Sequence, residues 1–218
     1  MPTKLVYFNV RGVCEVARYM LHICSADYED FRYPIDTSTF KKEEADAAKA
    51  EGKHDINMAR LPFLEVDGAM IAQSKSIERF VAAKYGFMGD SIIEGGQIDS
   101  TCEHVRDIKD AYQKVRGIAD EAAKKEAMDK WFAADLPEWL GKLEKAVAIT
   151  SKADGCSVGS KISYSDITIY YFLTFFFDNV EGAKAAYSSC PTVAAVVAAA
   201  GGNGKLKEWE VKRPDTTM

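Results

Sequence analysis

The chain is poor in residues that bind metals or form cross-links. Its three histidines, His22, His54 and His104, show no ligand spacing with one another or with cysteine, so no zinc site is expected. The cysteines, Cys14, Cys24, Cys102, Cys156 and Cys190, form an odd, scattered set without a Cys-x-x-Cys pair, which excludes a disulfide framework and predicts reduced thiols used as small core residues. Gly-x-Ser-x-Gly is missing, and Gly201-Gly202-Asn203-Gly204 lacks the Lys-Ser/Thr of a phosphate loop. Positive charge is not in surplus: 28 Lys and Arg stand against 33 Asp and Glu, a net charge of −5, which argues against nucleic acid or an anionic membrane surface as the main partner. Met1-Pro2-Thr3-Lys4 opens no apolar run of signal-peptide length. The longest apolar stretch, Ile167–Phe177, is broken by Thr168 and Thr174 and is too short for a bilayer. A cytoplasmic protein without a metal or tightly bound cofactor is the expectation.

What remains is ordinary globular material, with 47% hydrophobic and 28% charged residues over 218 positions, enough for one large domain or two small ones. The most telling segment is 61–86. Asp67-Gly68 between two short apolar runs tolerates the positive φ angles of a type I′ turn, so Phe63–Val66 and Ala69–Ala72 are predicted to pair antiparallel. A helix then begins at Ser74, with Ile77, Phe80, Val81 and Tyr85 on one face, and Gly86 stops it. Upstream, residues 4–8 read as a buried strand. The spacing of Val13, Ala17, Met20, Leu21 and Cys24 is helical, 28–33 reads as a second strand, and 41–50 as a helix. This gives β-α-β-α-β-β-α: a parallel pair with a crossover, closed by a hairpin, the thioredoxin-like arrangement.

Beyond Gly86 the strand patterns vanish. Residues 91–149 read as two long helices, the second carrying Met128 through Val147, with Pro137 as a kink or break. Ile167–Phe177 is apolar on nearly every side, as in a helix at the centre of a bundle, and Ser163 with Asp166 forms a carboxylate capping box at its start. The boundaries drawn are a thioredoxin-like domain at 1–84 and an all-helical domain at 90–218.

The wording Leu61-Pro62-x-Leu64-Glu65-Val66-Asp67-Gly68 … Gln73-Ser74-x-x-Ile77-x-Arg79-Phe80 closely resembles the N-terminal domain of cytosolic glutathione transferases. Lys4-Leu5-Val6-Tyr7-Phe8-Asn9-Val10-Arg11-Gly12 resembles the first strand and loop of the sigma-class members, Tyr28-Glu29-Asp30 their second strand, and 158–167 the helix-opening motif of their second domain. The anchors span nearly the whole chain in the family's order. The resemblance implies a transferase that joins the glutathione thiolate to a small hydrophobic electrophile, with glutathione as co-substrate, working as a homodimer.

Residue by residue, the resemblance implies the following roles. Tyr7, on composition alone an ordinary core tyrosine, would place its hydroxyl against the glutathione sulfur; Phe8 sits beside it. Gln73 and Ser74, otherwise a plain helix start, would hold the γ-glutamyl end, and a cis Leu61-Pro62 bond would turn the backbone of Leu61 toward the cysteinyl part. Asp107, otherwise an exposed helical charge, would reach the glutathione of a neighbouring subunit. Tyr112, Arg116 and Trp209 would line the electrophile pocket. Three positions depart from the sigma pattern. Phe40 and Glu44 stand where Trp and Lys are usual, and Val13 stands where an arginine often follows Arg-Gly. Phe40 stays in the binding set, and the glycine carboxylate would need Lys41, Lys42 or Arg60. Cys14, at the start of the first helix, is read as a buried thiol rather than a nucleophile. Two alternatives share the resemblance: a glutathione-dependent isomerase of the prostaglandin D synthase kind, and a non-catalytic crystallin-like relative.

Overall fold

The computed structural model describes residues 3–216. They divide into two compact units, one made of the residues up to Tyr85 together with those from Gly204 onward, the other Gly86–Asn203.

The first unit runs β1 (Thr3–Phe8), α1 (Glu15–Ile23), β2 (Tyr28–Tyr33), α2 (Glu43–Ala50), β3 (Phe63–Val66), β4 (Ala69–Ala72) and α3 (Ser74–Lys84), the thioredoxin-like order that the hydrophobic pattern predicts. The sheet order is β2-β1-β3-β4. β1 and β2 are parallel, from Thr3 opposite Tyr28 to Phe8 opposite Tyr33. β3 runs antiparallel to β1, with Val6 opposite Phe63, and β4 antiparallel to β3, with Phe63 opposite Ala72. The hairpin turns at Asp67 (φ 51°) and Gly68 (φ 80°), the pair of positive angles that Asp-Gly accommodates at low steric cost. On one sheet face Val6, Tyr33 and Phe63 bury against Ala45 and Ala48 of α2, with Phe8, Phe31 and Leu61 packed at the edge of this cluster.

Helix α3 starts where expected, but its N-cap is Gln73, not Ser74: Gln73 adopts φ 70° and Ser74 is the first helical residue. The unit also contains α10 (Gly204–Lys212), which packs on α1 through a buried polar cluster.

The second unit is helical: α4 (Ile92–Arg116), α5 (Glu121–Lys130), α6 (Leu136–Thr150), α7 (Tyr164–Phe175), α8 (Val180–Ser188) and α9 (Pro191–Gly202). The break expected at Pro137 falls earlier. A π turn over Trp131–Asp135 joins α5 to α6, and Pro137 sits in the first turn of α6, where its missing N–H has no carbonyl to serve. Nearly every side chain of α7 is buried. Its start is fixed by the Asp166 carboxylate, which accepts from the Ser163 backbone N–H at 2.7 Å and the Ser157 backbone N–H at 2.6 Å. Burial pushes the Asp166 carboxyl up against the pull of these hydrogen bonds. Among the described residues no helix is long and apolar enough to cross a membrane, and no group of His, Cys, Asp and Glu could hold a metal.

Candidate functional site

The strand register brings three sequence-distant pairs to one end of the sheet. Tyr7 and Phe8 close β1. Continuing the antiparallel register past Val6 and Phe63 sets Phe8 opposite Leu61, and continuing past Phe63 and Ala72 sets Gln73 opposite Pro62. Tyr7, Phe8, Leu61, Pro62, Gln73 and Ser74 therefore meet at adjacent strand ends. The Leu61-Pro62 peptide is cis, and Asn57 Nδ2 donates to the Pro62 carbonyl at 2.8 Å. In α3 the first intrahelical bond runs from Ile77 N–H to the Gln73 carbonyl at 3.0 Å, so the N–H groups of Ser74, Lys75 and Ser76 have no helical partner, a geometry suited to a carboxylate.

Tyr7 is half-buried, with the Val13 backbone N–H near its hydroxyl. Burial, then the adjacent Cys14, pushes the phenol up to about 12, against the opposing pulls of the Val13 N–H and Arg18, so it is protonated at neutral pH and can donate. Gly12, at φ 47°, lies so close that a Cβ there would stand 2.8 Å from the Tyr7 hydroxyl. Beneath the ring, with its guanidinium carbon 5.9 Å from the centroid, lies the fully buried Arg18. It donates to the Val10 carbonyl at 2.7 Å and to Asp30 Oδ1 at 3.1 Å, fixing the 9–12 loop from below. Cys14 is buried and its thiol is pushed up chiefly by burial, which suits the inert reading. Sequence reasoning passed over Gly12, Glu15 and Arg18. The signal was there, since a Glu and an Arg three apart inside an apolar helical pattern have to be paired if buried.

Beside Phe8 and Leu61 opens a cleft of about 350 Å³ lined also by Lys42, Asp46, Lys49, His54, Ala59 and Arg60. Lys42 and Arg60 of the expected set line it. Lys41, Phe40 and Glu44 do not: Phe40 is 61% exposed at φ 58°, and Glu44 points to solvent.

Four further residues were expected near ligand. Asp107 is exposed on α4, in a groove with His104, Trp139 and Lys142. Arg116, at the end of the same helix, stands 3.8 Å from Asp178. Tyr112 is 0% exposed, ringed by Trp131, Phe132, Phe176 and Phe177 within the helical unit. The indole N–H of Trp209 donates to the buried Glu15 at 2.9 Å, and its ring packs beside His22 in the first unit.

A thioredoxin-like unit with a tyrosine, a cis-proline and an open helix N-terminus at one sheet end, joined in the same chain to a helical bundle, places the chain in a two-domain class of thioredoxin-like proteins. The chain belongs to the glutathione S-transferase family. A family model described as "Glutathione S-transferase, C-terminal domain" matches residues 106–213. "Glutathione S-transferase 2" of Onchocerca volvulus is 31% identical over 170 residues, 78% of this chain and 74% of the relative. A "Hematopoietic prostaglandin D synthase" of Gallus gallus is 28% identical over the full length of both. Among solved structures, a Pi-class glutathione S-transferase of Onchocerca volvulus superposes with a TM-score of 0.79 at 27% identity, covering 98% of this chain and 94% of the other. A monomeric glutathione S-transferase of Necator americanus gives 0.78 at 25% identity over the whole of both chains.

Proposed function

We propose that the protein binds glutathione at the strand ends of the first unit and transfers its thiolate to a small hydrophobic electrophile. The carrying observation is the place of the Tyr7 hydroxyl at the end of β1, close against Gly12, with a phenol that ionises only at about 12 and so keeps its proton for an incoming sulfur. A hydrogen bond from a neutral donor to a charged sulfur is worth roughly 1.5–3 kcal/mol, or about one to two units on the thiol pKa. Tyr7 acts by stabilising charge; a phenol that loses its proton only near 12 is no base at neutral pH. The N–H groups opening α3, behind Gln73 and Ser74, would take the γ-glutamyl carboxylate, and Leu61 the cysteinyl backbone. The cationic cleft beside Phe8 would take the other end.

The sigma class rests in this proposal on the segment 4–12, the domain limits 1–84 and 90–218 on the change of pattern near Gly86, and a homodimer on the exposed Asp107. Retention on immobilised glutathione together with turnover of an activated aromatic halide supports the transferase. A second reading is favoured by the full-length likeness to a prostaglandin D synthase, under which glutathione is retained but the aromatic halide is not turned over. No retention at all would sink both.

A further inference from the structure

The cleft beside Phe8 carries more positive charge than the single carboxylate at the glycine end of glutathione requires. Lys42 is partly matched by Asp46, at 3.6 Å. Among the described residues neither Lys49 nor Arg60 is within ion-pair distance of a carboxylate, and the one recorded polar neighbour of Arg60 is the Met58 sulfur at 3.8 Å. Between them His54 is 2% exposed, held edge-on by the Tyr33 ring at 5.5 Å, and its Nε2 is buried without a partner. Burial, with Lys49 adding to it, pushes the imidazole down, so it stays neutral and adds a hydrogen-bonding group without a charge. The volume matters too. A cleft of about 350 Å³ has room for several waters, more than one carboxylate displaces.

We propose that this cleft is a subsite for an acidic extension of the thiol peptide, with Lys49 and Arg60 gripping a second carboxylate and His54 supplying a buried hydrogen bond. The ligand class is a γ-glutamyl-cysteinyl peptide ending in a dicarboxylic residue, in place of or beside glutathione. The inference rests on the glutathione reading above, since it extends the same site. Lys49 and Arg60 are solvent-exposed, so their substitution leaves the packing untouched.

The test is calorimetric binding of three peptides at low salt: glutathione, γ-Glu-Cys-Glu, and glutathione amidated at its C-terminus. Two exposed ion pairs of ordinary strength predict that γ-Glu-Cys-Glu binds about five- to tenfold more tightly than glutathione, and that the preference shrinks at high salt. The amide is expected to bind more weakly than either. In the Lys49→Gln, Arg60→Gln double variant the preference is expected to fall below about twofold. If glutathione binds and γ-Glu-Cys-Glu binds no better, the acidic subsite is overturned while the transferase reading stands. A preference that survives the double variant removes these two residues from the subsite, and failure of all three peptides to bind overturns both readings.

Discussion

A Cβ on residue 12 would stand 2.8 Å from the Tyr7 hydroxyl, so glycine at this position sets how closely the loop can approach the phenol. The left-handed φ of 47° makes the same demand on the backbone. Gly12→Ala therefore has to strain the loop and displace Tyr7 at once. A loss of stability of about 1–2 kcal/mol is expected from the backbone alone, and at least about tenfold in turnover from the displaced hydroxyl. Urea titration and steady-state kinetics on the same preparation check both; unchanged kinetics would mean that Tyr7 can shift freely.

Tyr7→Phe should fold as the parent and lose about 10- to 1000-fold in turnover, the range for deleting one charge-stabilising donor. The acid limb of the rate profile should move up by about one to two units, because the thiol loses its donor. In the parent the phenol ionises only near 12, so no alkaline limb from Tyr7 is expected at lower pH. A variant with the parent's turnover and limb would assign thiol activation to another group.

Glu15 is fully buried and takes Trp209 Nε1 at 2.9 Å and Arg213 Nη1 at 2.8 Å, while Arg18 lies 3.4 Å away. Glu15→Ala leaves the buried Trp209 indole N–H and the Arg213 guanidinium without their carboxylate, at a cost of about 3–5 kcal/mol. The fluorescence of Trp209 should shift with the first unit's unfolding, and the urea midpoint should fall. A midpoint equal to the parent's would mean that solvent reaches this cluster.

The proposed homodimer predicts a sedimenting mass of about 48 kDa, twice the 24.1 kDa chain, at micromolar concentration. A two-fold interface uses one patch twice, so Asp107→Ala should lower the affinity for glutathione at both sites alike. A fully active monomer would take Asp107 out of the site.

Local chemistry was legible wherever a few consecutive residues decide the outcome. Asp67-Gly68 names its turn because few other pairs tolerate two positive φ angles, and Ser163 with Asp166 names its helix start because the spacing lets each side chain reach the other's backbone. The strand-end pairs were legible only through resemblance, since nothing local in Tyr7 or Gln73 says which strands will lie side by side. Depth was the hardest to read. Helical spacing shows which face of α4 turns inward, but not that four aromatic rings close over Tyr112. The partner of Trp209 was hidden for a related reason: Glu15 lies 194 residues earlier, beyond any periodicity. Lys49 and His54 escaped notice because a lysine-rich stretch reads as a solvated face until the backbone gathers it beside Arg60.

The packing of α10 on α1 also constrains the order of events at the ribosome. The first unit has its sheet after about Ala72 is made, yet Glu15 must wait for Trp209 and Arg213, which are made after the helical bundle. During synthesis of the helical bundle the buried charges of α1 have no lid. A chain that stops at Asn203 would hold the Glu15 carboxylate without either of these partners.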